Sequence, residues 1–166
     1  MSYQGKRVIT GHDANGKSMA LRIEQPLHTR SVPGAEFFEI WATSASPAPI
    51  TADEPEPTIA VPKVHPAPGG STVRVIDFLP ANQGGVCSPM HRTRTVDYGI
   101  VLEGEMVLLL TDSEVHLKAG DIVIQRGTDH AWENRSERLA RMAFILLDGE
   151  FAPTLLETLP DFHLMP

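Results

Sequence analysis

From residue 72 to residue 147 the chain runs in short β-rich stretches broken by turn residues, and apolar positions there do not recur at helical spacing. The expected strands are 72–79, 91–102, 106–110, 115–117, 121–125, 130–134 and 139–147. Between them stand Glu103-Gly104, Asp112-Ser113-Glu114, Ala119-Gly120, Gly127-Thr128-Asp129 and Arg135-Ser136-Glu137, rich in the Gly, Asp and Ser that turns require. Many short strands at this spacing predict an all-β barrel or sandwich.

The flanks read differently. Arg7-Val8-Ile9-Thr10 and Ser18-Met19-Ala20-Leu21 flank Asn15-Gly16, a pair suited to a hairpin turn that needs positive φ. An extended piece follows at 36–41, with Phe37, Phe38 and Trp41 as aromatic surface for a neighbouring sheet or subunit. Seven of the fourteen prolines, Pro47, Pro49, Pro55, Pro57, Pro62, Pro66 and Pro68, then exclude helix interior and central strand. That stretch is either a flexible connector or a stiff strap across the barrel or a partner. After Gly149, residues 153–159 suit a short helix started by Pro153 and stopped by Pro160. The expected organisation is an N-terminal part with strands and arm over 1–71, a barrel over 72–149 and a cap over 150–166.

A length of 166 residues fits one core. The formal charge of -7 and the lack of a Lys/Arg cluster argue against a nucleic-acid groove. Cys87 is the sole cysteine, so no intrachain disulfide is available, and a cytoplasmic location is expected. No apolar run approaches the roughly 20 residues of a membrane helix, and neither secretion nor membrane insertion has a signal.

Candidate chemistry comes from strand parity. His91, Thr93, Thr95 and Asp97 share one face, with Arg92, Arg94 and Val96 opposite. The same parity groups His130 with Trp132 and Asn134, so two imidazoles, an indole and a carboxylate can meet in one interior. Tyr98, Arg92 and Arg94 are expected to face outward. Arg74 and Asp77 lie three apart, so only one of them enters the barrel.

Gly85, His91, Thr93, Asp97 and Gly104, separated by five, one, three and six residues, resemble the first motif of the cupin family. Gly120-Asp121, Gly127, His130 and Asn134 are similar to its second motif, with the usual proline replaced and a turn one residue shorter. The resemblance implies a cupin jelly-roll barrel over roughly residues 72–147. In the family, three histidines and a glutamate bind a divalent metal. Here Thr93 stands at the second histidine and Asp97 at the glutamate. By position the implied metal set is His91, Asp97 and His130, with iron, manganese, zinc or nickel as the ion. The shortened carboxylate can also miss a metal and face the cavity as acid or base, so a metal-free site stays open.

The same three residues are then the catalytic candidates, with Thr93, Trp132 and Arg126 for substrate binding. Arg126 could reach over the barrel mouth to a carboxylate, against the plainer reading of a solvated turn arginine. Plain core packing is the rival account of Trp132. Cys87 lacks a base held against it and stays outside the site. His12, His28, His65, His116 and His163 read as hydrogen-bonded structural residues.

The expected function is a small-molecule enzyme acting on an organic acid or oxygenated secondary metabolite. Lyase chemistry (decarboxylase or dehydratase) ranks ahead of isomerase. A metal-dependent dioxygenase and a non-catalytic ligand-binding module are the alternatives, the latter without a helix-turn-helix partner in the chain. A homodimer is expected from the aromatic stretch and the proline-rich arm.

Overall fold

The computed structural model describes residues 3–59 and 64–159, the side chains of His28 and Thr29 aside. Pro62, Pro160 and His163 lie outside the described residues, as does the His28 side chain. The strands in chain order are β1 (Arg7–His12), β2 (Ser18–Glu24), β3 (Leu27–Val32), β4 (Ala35–Thr43), β5 (Ser71–Phe78), β6 (Thr95–Glu103), β7 (Glu105–Leu109), β8 (Glu114–Lys118), β9 (Ile122–Arg126), β10 (Ala131–Glu133) and β11 (Ala140–Asp148). One helical turn, α1 (Pro153–Leu156), follows. The fold is the all-β barrel expected.

A six-stranded sheet, ordered β3-β4-β5-β11-β6-β9, faces a three-stranded sheet, β10-β7-β8, and β1-β2 form a separate hairpin. All pairings are antiparallel. Alternation drives the closure. Along β11, Ala140, Met142, Phe144 and Leu146 are buried between less buried neighbours, and β6 alternates in the same way. They meet Ile76 and Phe78 of β5, Met106 and Leu108 of β7, Leu117 of β8 and Trp132 of β10 in one core. Each such side chain contributes about 1.5–3 kcal/mol on burial. Gly104 makes the abrupt β6–β7 turn at φ 75°, where a Cβ would come within 2.6 Å of the Leu139 carbonyl oxygen.

The N-terminal hairpin turns at Gly16 as expected, with Asp13 Oδ1 accepting from the Asn15 and Lys17 amides. The extended piece at 36–41 belongs to β4, which pairs with β5, so residues N-terminal to 72 extend the larger sheet as well as packing on it. Its aromatic residues are largely spent within the chain: Phe38 is buried and meets Tyr3, while Phe37 enters the barrel. Glu56 of the proline-rich arm pairs with Arg7 at 2.7 Å and Arg22 at 2.9 Å, so the described part of the arm is a strap tied to the hairpin.

Asp77, 1% exposed, lies on the outer face of β5, where Arg141 of β11 donates to it from Nε at 2.6 Å and Nη2 at 2.7 Å. Tyr3 covers that guanidinium, its ring centroid 4.9 Å away. Arg74 is therefore the member of the Arg74/Asp77 pair that enters the barrel. Arg141→Ala leaves the Asp77 carboxylate buried without its fork and should destabilise the fold by about 3–5 kcal/mol, read as a lowered urea midpoint.

Candidate functional site

The barrel holds a cavity of about 480 Å³ with mostly apolar walls, among them Phe37, Ile76, Phe78, Trp132, Phe144 and Leu146. His91, Thr93, Asp97, Gln125, His130, Arg30 and Arg74 bring polar groups to it. The structure thus lines one cavity with five of the six candidate residues: His91, Thr93, Asp97, His130 and Trp132. Arg126 is not among them. It is the last residue of β9 and exposed, because strand parity turns its neighbour Gln125 inward instead.

The two histidines are set by backbone. His91 and His130 form an isolated antiparallel bridge, and their rings stand 4.2 Å apart between centroids, tilted 49°. His91 Nδ1 donates to the Pro89 carbonyl at 2.9 Å, and His130 Nδ1 to the Thr128 carbonyl at 3.0 Å. A carbonyl only accepts, so in the neutral ring Nε2 carries the lone pair. Burial, together with the charge of His91, lowers the His130 pKa to about 4, which keeps this imidazole neutral at physiological pH. Trp132 stands edge-on to His130 at 6.2 Å and to Phe144 at 5.4 Å.

Asp97 comes from the middle of β6, its face shared with Thr95. Burial pushes its pKa up to about 6, and the Thr95 hydroxyl, the charges of Arg74 and His65, and the Thr93 hydroxyl offset only part of that. Its Oδ1 is buried and has no hydrogen-bond partner among the described residues.

Arg92, expected outward, is buried and donates to Asp129 at 2.5 Å. The expected strand 91–102 is interrupted by residues 93–94, between the bridge at His91 and β6, but the alternation persists, and Arg92 is kept from solvent by Asp129 and not by entering the cavity. Arg94 does face solvent. His12 and His116 are exposed surface residues, with His116 paired to Glu114, and so are not core histidines.

Several lining residues carry no readable signal of their own. Arg30 and Phe37 reach the cavity through the β3–β4–β5 pairing, and Gln125 through its register opposite Asp97. Cys87 also lines it, but burial raises its thiol pKa and Sγ donates to the Ser88 carbonyl, so it is no ready nucleophile.

The Nδ1–H contact to a carbonyl that both histidines make is the arrangement that orients a ligating imidazole. A third donor fails to join them. Among the described residues, no three His, Cys, Asp or Glu side chains are gathered to hold an ion. The expected set of His91, Asp97 and His130 shares a cavity without forming that cluster, and these residues do not fit a complete divalent-metal centre.

Residues 81–148 match the family model described as "Cupin domain". Phomopsin biosynthesis cluster protein C' of Diaporthe leptostromiformis is 38% identical over 87% of this chain and 78% of its own length. A cupin-domain-containing oxidoreductase of Hypocrea virens, virC, is 35% identical over 86% of this chain and 75% of its own. Among solved structures, a cupin domain from Schizosaccharomyces pombe superposes with a TM-score of 0.53 at 11% identity, covering 96% of this chain and 98% of that one. No helix among the described residues is long and apolar enough to cross a membrane.

Asp97 and His130 pull stability in opposite directions with pH. The raised Asp97 pKa contributes stability that is full below about pH 4 and lost as pH rises through about 6. The lowered His130 pKa contributes stability that is full above about pH 6.5 and lost as pH falls through about 4. Each effect is worth up to about 3 kcal/mol, so they largely cancel in the native chain. Melting scans between pH 4 and 6.5 should therefore show Asp97→Asn gaining stability as pH rises and His130→Gln losing it.

Proposed function

This chain belongs to the cupin family, and on that premise we propose that it is a small-molecule enzyme whose barrel cavity moves a proton on an oxygenated metabolite or organic acid, as a dehydratase or other lyase or as an isomerase. The observation that carries this reading is a single carboxyl, Asp97, raised to about 6 inside an apolar cavity with one oxygen uncommitted. A group with a pKa near the working pH serves both as base and, once loaded, as acid.

The parts follow from the geometry. Asp97 Oδ1 takes a proton from a C–H made acidic by an adjacent carbonyl. It then returns that proton, either to a neighbouring carbon, giving an isomer, or to a departing hydroxyl, giving water and an alkene. His130, neutral, offers Nε2 as a second acceptor that orients the substrate beside Asp97. Thr93 and Thr95 steady the carboxyl, while Trp132, Phe144 and Phe37 exclude water and pack the substrate. The relatives encoded in fungal biosynthesis clusters support a small-molecule enzyme without choosing among these outcomes.

A second reading, a metal-dependent dioxygenase, is favoured by the relatives named as oxidoreductases, and in it His91 and His130 would supply only part of the ligand set. Oxygen uptake after reconstitution with ferrous iron, abolished by His91→Ala and His130→Ala, would select it.

The primary test is solvent exchange. A panel of hydroxy and keto acids incubated with the protein in deuterated water should acquire deuterium next to a carbonyl, followed by NMR. The rate should rise with pH through about 6 and then level, and Asp97→Asn should lower it by about 10²–10⁴-fold. Exchange of equal rate in Asp97→Asn would remove this mechanism.

A further inference from the structure

Among the buried polar atoms on residues lining the barrel cavity, Nε of Arg30 and Oδ1 of Asp97 have no hydrogen-bond partner among the described residues. Leaving such a group unmet costs about 1–3 kcal/mol, and in native folds buried polar groups are as a rule completed by some partner. The two are opposite in kind, one a charged donor and the other an acceptor. A ligand that satisfies both must carry an acceptor at one end and a donor at the other.

The donor end is shaped for an anion. The Arg30 guanidinium lies over the Phe37 ring, 4.2 Å from its centroid, which seats the charge on the cavity wall. Arg74 enters the same cavity and pairs with Glu39 at 3.4 Å. The two guanidinium groups thus both act on one buried carboxyl, that of Glu39, so cations outnumber the carboxyl they share. The surroundings favour an incoming negative oxygen, and a carboxylate matches a guanidinium fork.

Building on the reading of this cavity as a small-molecule site, we propose that its ligand is a hydroxy acid, with the carboxylate bound by Arg30 beside Arg74 and the hydroxyl donating to Asp97 Oδ1. The apolar body between the two groups packs against Trp132 and Phe144. Arg30 is a binding and specificity residue in this arrangement, supplied by β3.

The test titrates the full chain with 3-hydroxybenzoate, 4-hydroxybenzoate and their two amides by calorimetry. At least one acid should bind about tenfold or more tightly than its amide, as a charge-assisted hydrogen bond would give. Arg30→Gln should erase that preference, the acid losing about tenfold or more relative to its amide, and Arg30→Lys should restore part of it. Benzoate should bind the native chain more weakly than the hydroxylated acid, a difference that disappears in Asp97→Ala. Acid and amide binding alike, or a preference that survives Arg30→Gln, overturns the hydroxy-acid assignment while the amides still report an occupied cavity. Failure of all four probes to bind the native chain would count against the small-molecule reading itself, and against this assignment with it.

Discussion

Two backbone hydrogen bonds, from the His91 amide to the His130 carbonyl and from the His130 amide to the His91 carbonyl, each 2.9 Å, join the approach to β6 with the approach to β10. The site depends on this bridge. It lies between the larger and smaller sheets at one end of the barrel, and it brings two imidazoles from distant parts of the chain within 4.2 Å of each other. Each ring is then fixed by a carbonyl two residues earlier in its own segment, so neither orientation relies on the other side chain.

Buried charge is handled in two ways in this molecule. Where it serves the fold it is paired closely: Asp77 receives two bonds from Arg141, and Arg92 meets Asp129 at 2.5 Å. In the cavity, Asp97 keeps an uncommitted oxygen and a pKa near 6. A carboxyl held that way weakens the fold near neutral pH, and residues that oppose stability in this manner concentrate at functional sites. The neutral His130 nearby is a second cost of the same kind, of opposite dependence on pH.

Strand alternation made His91, Thr93 and Asp97 legible, since side-chain direction in a strand follows from parity alone, and the spacing of glycine and histidine pointed to the fold. Parity does not say whether the face turned away from the cavity is covered: Arg92 is not among the cavity-lining residues, yet it is buried against Asp129. It also says nothing about which strands become neighbours. Gln125 faces Asp97 only because β9 pairs with β6, and Arg30 reaches the cavity only because β3 and β4 continue the sheet beyond β5. Arg126 shows the cost of a one-residue error in assigning a turn: shifted by one position along β9, the inward residue is a glutamine.

The stretch between β5 and β6 divides the cavity lining along the chain. His91, Thr93, Asp97, His130 and Trp132 all fall within residues 81–148, the stretch that matches the cupin domain, whereas Arg30, Phe37, Arg74, Ile76 and Phe78 come from outside it. The two histidines and Asp97 thus come from the family-matched stretch, while β3, β4 and β5 add lining residues from the same six-stranded sheet that holds Asp97. Changes in β3, β4 or β5 can therefore reshape the chamber while the histidine bridge, which lies wholly in the later half of the chain, keeps its own backbone pairing.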